Sequence, residues 1–239
     1  MKSRLDPMLT FNDLAVWKTF VNPGEVIEMR IVKVDGRYII SGYFDNHNAF
    51  CRALKQSEGM NHAGAYFTLH QVIDPRLIAR SYNHLKQSNL TTSDNDVLAY
   101  RWLPVDIDPV RPSGISSSDL ELQAALELRR YVSDHVMREI GLPAPIKAMS
   151  GNGGHLLFRL PDIPANDDNK GRIKGILNDL ALRFNNDYAK IDTSVFNPAR
   201  IWKLYGTTSR KGDVVPAGSK CEARPHRMAY IETLGDQQS

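Results

Sequence analysis

Two aspartates lie two residues apart at the end of an apolar run, in the segment Leu103-Pro-Val-Asp-Ile-Asp-Pro-Val-Arg111. On a β-strand this spacing places the side chains of Asp106 and Asp108 on one face of the sheet. Two carboxylates held together raise each other's pKa unless a cation lies between them, so the pair favours a site for hard divalent metal ions. The structural alternative is a pair that only caps a turn before Pro109, because turns also favour Asp and Pro.

A glycine-rich segment, Ser150-Gly-Asn-Gly-Gly-His155, lies between two apolar stretches and predicts a tight connection between two strands. Glycines let the backbone approach a ligand closely and present N–H donors to phosphate oxygens. Ser150 and Asn152 can donate hydrogen bonds, and His155 can donate to a phosphate oxygen or transfer a proton. A plain glycine hairpin turn would account for the same pattern.

A third acid, Asp192, ends the short apolar strand predicted at 189–192, and the segment Asn197-Pro-Ala-Arg-Ile-Trp-Lys-Leu-Tyr-Gly-Thr207 follows it closely. Asp192 would complete a metal triad with the aspartate pair. Arg200 and Lys203 are candidates for binding a triphosphate, where Arg binds in bidentate fashion and Lys acts as a point charge.

In this order the three segments resemble the archaeo-eukaryotic primase superfamily, in particular the primase-polymerase branch found with plasmids, phages and some CRISPR systems. The resemblance covers most of the chain, from about residue 25 to about residue 210. The matched motifs are Asp106 and Asp108 for Asp-x-Asp, Ser150 to His155 for a Ser/Gly-rich turn that ends in His, Ile191 and Asp192 for hydrophobic-Asp, and Asn197 to Thr207 for a trailing Asn-Pro-x-Arg stretch.

The resemblance implies an enzyme, a DNA primase and DNA-directed polymerase that makes or extends primers by two-metal nucleotidyl transfer. Two Mg²⁺ or Mn²⁺ ions would be held by Asp106, Asp108 and Asp192; one ion would lower the pKa of the attacking 3′-hydroxyl and the other would neutralise the leaving pyrophosphate. The residues implied in nucleotide binding are Ser150, Asn152, His155, Arg200, Lys203 and Thr207, with Arg111 as a further candidate.

The implied partners are a single-stranded DNA template, a primer, and NTPs or dNTPs. A helicase, a nuclease or CRISPR adaptation proteins, on other chains or in a longer parent protein, are further candidates. Zinc is not expected, because Cys51 and Cys221 are the only cysteines and lie far apart. Two other function classes stay open: a metal-dependent nuclease or nucleotide cyclase, and a non-catalytic module that binds single-stranded DNA.

Net charge alone does not argue strongly for a nucleic-acid partner, since 30 Lys and Arg face 27 Asp and Glu. The distribution is more informative, because the stretch from Ala199 to Arg227 has many basic residues and only two acids, and such a stretch can follow a phosphate backbone. Its basic residues are Arg200, Lys203, Arg210, Lys211, Lys220, Arg224 and Arg227. Arg210 and Lys211 are the candidates for contact with nucleic acid.

The pattern of the first 95 residues predicts an αβ lobe. Strands at 27–34 and 37–44 flank Asp35-Gly36, a strong hairpin signal. A helix is predicted at 48–57 and a strand at 65–70. Asp74-Pro75 starts another helix that runs to about Leu85, since Asp caps helices and Pro suits the first turn. The polar stretch 86–96 predicts a loop.

The second part predicts a strand-helix-strand-strand-helix-strand order, which is typical of the ferredoxin-like fold. Ser118 and Glu121 form a capping box for a long helix that ends near Gly141. Strands near Ile146 and Leu156, a helix at 168–184 and a strand at 189–192 follow. The expected fold class is therefore α/β (α+β), with an RRM-like (ferredoxin-like) core, as the resemblance also implies, packed against the N-terminal lobe. One catalytic domain would span 1–239, with lobes at 1–95 and 96–239.

A membrane segment is not expected, because the N-terminal apolar run is short and interrupted, so the sequence predicts an intracellular, cytoplasmic protein. Tyr66 or Phe67 is a candidate for contact with the sugar of a nucleotide, or a core residue. The three tryptophans, Trp17, Trp102 and Trp202, could stack a base or pack in the core.

Overall fold

A computed structural model of the chain describes residues 8–33, 38–218 and 221–236. In the first half the elements are α1 (Leu14–Phe20), β1 (Ile27–Lys33), β2 (Ile39–Phe44), α2 (His47–Glu58), β3 (His62–Thr68), α3 (Pro75–Arg80) and β4 (Lys86–Ser88). The elements that follow are β5 (Ala99–Pro109), α4 (Asp119–His135), β6 (Ile146–Met149), β7 (Gly154–Pro164), α5 (Asp167–Phe184), β8 (Ala189–Ile191), β9 (Ile201–Lys203), β10 (Thr208–Ser209), β11 (Arg227–Met228) and β12 (Tyr230–Thr233).

The first sheet has the strand order β4-β2-β1-β3-β9 and is antiparallel throughout. β1 and β2 pair as predicted, although the predicted turn at Asp35-Gly36 lies outside the described residues. The fifth strand, β9, comes from the second half of the chain and places Lys203 opposite Tyr66 on β3. The division into lobes at 1–95 and 96–239 stays a prediction. Strand β9 belongs to the second of these segments but pairs in the sheet that the first segment forms.

The second sheet has the order β12-β6-β7-β5-β8 and is also antiparallel. The run β5-α4-β6-β7-α5-β8 has the predicted order of elements, with β7 inserted between β5 and β6 as in a split β-α-β arrangement. β5 is an inner strand of this sheet, between β7 and β8. Val105 and Ile107 are fully buried on one face, whereas Asp106 and Asp108 are only partly buried on the other. The aspartate pair therefore belongs to a strand, as predicted, and does not merely cap the turn before Pro109.

Helix α4 begins at the predicted capping box. The Ser118 hydroxyl accepts from the Glu121 N–H at 3.3 Å, and the Glu121 carboxylate accepts from the Ser118 N–H at 2.9 Å. The α-helix ends at His135, and a π-helical turn over Val136–Ile140 leads to Gly141, whose φ of 74° is left-handed. The predicted end near Gly141 is thus correct for the helical segment as a whole.

Two predictions in the first half were wrong in extent. Helix α3 ends at Arg80 rather than near Leu85, because the chain turns back: the Tyr43 N–H donates to the Ser81 carbonyl at 3.0 Å and the Asn83 N–H donates to the Tyr43 carbonyl at 2.7 Å. Asn83 has a φ of 58°, which a helix cannot contain. The stretch 86–96 is not all loop, since β4 pairs with β2 and a 3₁₀ turn spans Asp94–Asp96.

Aromatic side chains fill much of the core between the first sheet and its helices. The Phe11 ring lies 4.7 Å from the ring of Phe67 and 5.1 Å from that of Phe50. Trp17 and Trp102 are 6% and 0% exposed, so both pack in the core and neither offers a face to a base. In the described part of the chain, no helix combines the length and the apolar character needed to cross a membrane.

Candidate active site

A cavity of about 350 Å³ lies between the two sheets and is lined from both. Most of the residues that the sequence singled out meet here, although they come from segments far apart in the chain. The lining side chains among them are Tyr66, Asp106, Asp108, Arg111, Ser150, Asn152, His155, Asp192, Arg200, Trp202, Lys203 and Lys211. Two candidates, Thr207 and Arg210, are not part of the lining.

Strand pairing sets the positions of the two central acids. Asp106 is opposite His155 on β7, and Asp108 is opposite Lys190 on β8. The His155 Nε2 atom lies 3.3 Å from Asp106 Oδ1. Asp106 keeps 22% of its side-chain surface exposed, which is the part that faces the cavity.

The surroundings shift the pKa values of the two acids in opposite directions. The charge of Asp106, followed by burial, raises the pKa of Asp108 to about 6. Burial acts to raise the pKa of Asp106 as well, but the charge and hydrogen bond of His155, with Lys211 and Arg200, outweigh it and lower that pKa. A hard divalent cation would relieve the repulsion between the two carboxylates, and it prefers the oxygen ligands that they offer.

Asp192 is held beside the pair by the backbone, since its N–H donates to the Asp106 carbonyl at 2.8 Å. Its side chain has other partners. Oδ1 accepts from the Ser194 N–H at 2.8 Å, and Oδ2 lies 3.6 Å from Nη2 of Arg200. Over the described residues, no three His, Cys, Asp or Glu side chains are grouped to hold a metal ion. The three acids share one cavity, but the third faces Arg200.

The glycine-rich turn lies directly against β5. The Ser150 N–H donates to the Gly153 carbonyl and the Gly153 N–H donates to the Ser150 hydroxyl oxygen, both at 3.0 Å. A Cβ at Gly153 would lie 2.3 Å from the carbonyl oxygen of Ile107, between the two acids, so only glycine permits this approach. The Ser150 hydroxyl keeps its own proton available for a ligand in the cavity.

Asn152 joins three segments of the chain. Its side-chain oxygen accepts from the Ser117 N–H at 3.0 Å and from the Ser117 hydroxyl at 3.2 Å, and its amide nitrogen donates to the Lys211 carbonyl at 3.2 Å. The residue is only 5% exposed. It therefore fixes the wall of the cavity, and most of its hydrogen-bonding capacity is already used.

A hydrogen-bonded chain of aromatic residues ends at Asp106. Trp202 Nε1, which can only donate, lies 2.8 Å from the Tyr205 hydroxyl, and that hydroxyl lies 3.0 Å from His155 Nδ1. Because a carboxylate only accepts, the Nε2 atom facing Asp106 carries a proton. Nδ1 then accepts from the Tyr205 hydroxyl when His155 is neutral and donates to its oxygen when His155 is charged. Sequence reasoning missed Tyr205, because nothing in its spacing marks a tyrosine that contacts a histidine 50 residues away.

Lys203 lies on the floor of the cavity. It is 6% exposed, and its Nζ donates to the Thr207 hydroxyl oxygen at 2.9 Å and to the Thr208 carbonyl at 3.2 Å. The Thr207 hydroxyl in turn donates to the Leu204 carbonyl at 2.7 Å. Burial, with the nearby charge of Arg210, lowers the pKa of Lys203 to about 7. Thr207 thus acts on the cavity through Lys203, and the protonated form of this lysine has a third N–H for a ligand.

The basic stretch is less available than its composition predicts. Arg224 forms two hydrogen bonds of 2.6 and 2.8 Å with the Glu121 carboxylate, and Arg227 lies 2.6 Å from Asp119. Both pairs tie the end of the chain to the start of α4. Lys220 lies outside the described residues. Lys211 lines the cavity, whereas Arg210 instead contacts His62 at 3.3 Å.

The sequence matches no protein-family model and no curated protein. Among solved structures, the chain is similar to the polymerase domain of ligase D from Mycobacterium tuberculosis in complex with DNA, with 13% identity, coverage of 87% of this chain and 77% of that chain, and a TM-score of 0.48. Neither result assigns a role to a residue of the cavity.

Removing the Tyr205 hydroxyl is expected to change the environment of one ring nitrogen of His155. In Tyr205→Phe the Nδ1 atom loses its hydrogen-bond partner whereas Nε2 keeps Asp106, and a loss of about 1–2 kcal/mol in unfolding free energy accompanies the unpaired groups. The ¹⁵N chemical shifts of the two ring nitrogens report the protonation and hydrogen bonding of each. Tyr100→Phe is the matched control, because the buried Tyr100 hydroxyl donates to the Phe196 carbonyl at 2.8 Å. Equal His155 shifts in wild type and Tyr205→Phe would contradict the assigned chain.

Proposed function

We propose that the protein is a nucleotidyltransferase that synthesises or extends primers on single-stranded DNA. The observation that carries the proposal is the position of Asp106 and Asp108 in one cavity with the hydroxyl of Ser150 and the cations Arg200 and Lys203. Negative and positive groups side by side suit a metal-bound triphosphate, since the acids can bind the metal and the cations the phosphates. The order of these segments, which resembles the primase-polymerase family, supports the same reaction.

We further propose that the second sheet is an RRM-like palm of the archaeo-eukaryotic primase type. The strand order β6-β7-β5-β8 and the two helices α4 and α5 support this assignment. In such a palm the acids would lie on an inner strand, where the strands on both sides restrict their movement. β5 has this position, between β7 and β8.

Asp106 and Asp108 would hold Mg²⁺ or Mn²⁺. Two ions bound here would supply activation of the 3′-hydroxyl and neutralisation of the leaving pyrophosphate. The Nε2–H of His155 donates towards Asp106 and would fix the orientation of that carboxylate. The other oxygen of Asp106 is then left for the metal.

Arg200 connects the third acid to nucleotide binding. Its guanidinium lies 3.6 Å from Asp192, a long contact that a triphosphate can replace with shorter bidentate hydrogen bonds. Moving Arg200 to the phosphates would free the outer oxygen of Asp192 for the site. Lys203 and Ser150 would bind the remaining phosphate oxygens from the floor and the glycine turn.

Tyr66 is the better of the two sequence candidates for contact with the sugar. Its ring lies over Gly64, where an added Cβ would come within 2.5 Å of the tyrosine hydroxyl, and it lines the cavity opposite Lys203. Phe67 is fully buried in the core. A ring in this position can restrict the space beside the 2′-carbon.

The test is incorporation of labelled nucleotides on a primer-free single-stranded template with Mg²⁺ or Mn²⁺, with NTPs and dNTPs supplied separately. We expect template-dependent products from the wild type and none from Asp106→Ala/Asp108→Ala. Products only after a primer is annealed would indicate extension without initiation. Unchanged incorporation by the double variant would refute the proposal, and cleavage or a cyclic product without template dependence would replace it with a nuclease or cyclase.

A further inference from the structure

A second cleft, of about 450 Å³, adjoins the cavity at the end of β5. We name it the outer cleft. It shares Asp108, Arg111 and Lys211 with the cavity, so these three side chains form the boundary between the two spaces. The rest of its wall consists of Pro109, Pro112, Ser113, Gly114, Ile115 and Gly212.

Hydrogen bonds join the two sides of the outer cleft and fix its shape. The Asp213 N–H donates to the Gly114 carbonyl at 2.7 Å, and the Ser116 N–H donates to the Asp213 carbonyl at 3.0 Å. Gly212 has a φ of 88°, and a Cβ there would lie 2.6 Å from the backbone of Ile115. The two walls therefore touch at backbone level, and the cleft exists before any ligand arrives.

The charge of the outer cleft is positive apart from Asp108. Arg111 donates to the Ile115 carbonyl, and neither Arg111 nor Lys211 forms an ion pair with a residue in the described part of the chain. At Gly114 an added Cβ would meet nothing within 4 Å, so a ligand can approach the backbone there.

We propose that the outer cleft binds the phosphodiester backbone of the strand whose 3′-hydroxyl reacts. This rests on the proposed function, which requires two polyanions to meet at one pair of acids. Arg200 and Lys203 face the first cavity, where the triphosphate would bind, while Arg111 and Lys211 lie at the junction with the outer cleft. Asp108 lies on the boundary, where the terminal hydroxyl of a strand in the outer cleft meets the metal site.

The test adds charge at Ser113, which is exposed and lines the outer cleft but not the first cavity. In Ser113→Glu the Kd and KM for a primer annealed to a template rise about fivefold, the effect of one charge about 4 Å from a phosphate in water. Ser113→Lys lowers both values and increases the slope of log Kd against log salt concentration by about one. The KM for the nucleotide stays within error in both variants.

Two further variants separate charge from other effects. Ser113→Gln measures the steric effect of a longer side chain. Gln56→Glu places the same added charge on α2, at an exposed position that lines neither the cavity nor the outer cleft. Binding is measured by fluorescence anisotropy with a labelled primer-template, and KM by extension under the same salt conditions.

The outcomes distinguish this inference from the proposed function. The outer cleft is not the strand site if Ser113→Glu and Ser113→Lys bind primer-template with equal affinity, or if the nucleotide KM changes as much as the primer-template KM. Incorporation by the wild type would uphold the proposed function in either case. If the wild type incorporates no nucleotide but oligonucleotide binding still follows the charge at Ser113, the proposed function fails and the outer cleft stands as a site for a nucleic-acid backbone.

Discussion

Asp108→Asn is expected to lose at least about 100-fold in nucleotide incorporation and, in the absence of metal, to be more stable than the wild type. Both effects have one cause. The charge of Asp106 raises the pKa of Asp108 to about 6, so the folded protein holds two carboxylates that repel each other at neutral pH. Asparagine keeps the shape of the side chain and removes one of the charges. It therefore relieves the repulsion and also removes a metal ligand.

The sign of the pH dependence follows from the direction of this shift. Between pH 4 and pH 6 the folded chain retains a proton on Asp108 that the unfolded chain has released, so the contribution of this group to stability falls as the pH rises through that window. At pH 7 the cost is on the order of 1–2 kcal/mol after allowance for solvent screening. The gain from Asp108→Asn should thus be present at pH 7.5 and small near pH 4.

Urea unfolding in a chelator at the two pH values measures this difference. Asp162→Asn is the matched control, because Arg101 lies 2.9 Å from Asp162 and, with burial opposing, its hydrogen bond and charge lower the pKa of that carboxyl. This variant is expected to be less stable than the wild type at pH 7.5. Added Mn²⁺ should then stabilise the wild type, by about 2.7 kcal/mol at a hundredfold excess over its Kd, but stabilise Asp108→Asn far less. A loss of stability in metal-free Asp108→Asn at pH 7.5 would contradict the repulsion.

The parts of the fold that the sequence predicts are those with a local cause. The alternation around Asp106 and Asp108 is a property of a strand with one buried face, and the capping box at Ser118 depends on residues three apart. The glycine run before His155 is itself a turn signal. Each of these features can be derived from a window of a few residues.

Features decided by distant contacts could not be predicted in this way. β9 is three residues long, and only its pairing with β3 makes it part of the first sheet. The same holds for Arg224, whose partner Glu121 is 103 residues away. The basic composition of its region predicts a surface for phosphates, but composition does not reveal which cations already have a carboxylate partner. In the described part of the chain Lys211 has no carboxylate partner and Arg224 has one, but the sequence around them does not show this difference.

Lys203→Met is the second variant with a large expected effect. A charged hydrogen bond to a phosphate contributes about 1.5–3 kcal/mol, so nucleotide affinity should fall about 10-fold to 100-fold. The fold should persist, because methionine matches most of the length of the lysine chain and a buried amine is removed. Thr207→Val is the companion variant: it removes the acceptor of the Lys203 ammonium without touching the cavity lining, so its loss of affinity should be in the same direction and smaller.

The pH dependence of nucleotide binding distinguishes a charge at Lys203 from simple packing. Burial, aided by Arg210, lowers the pKa of this lysine to about 7, so above that pH the empty site has lost the proton. A bound triphosphate favours the charged ammonium, so binding must take up a proton, and nucleotide affinity should decrease as the pH rises from 7.5 to 9, where the phosphates themselves are already ionised. Titration calorimetry at pH 8 in two buffers of different ionisation enthalpy measures the proton directly. We expect an uptake approaching one proton in the wild type and none attributable to this site in Lys203→Met; equal uptake in both would place the proton on another group.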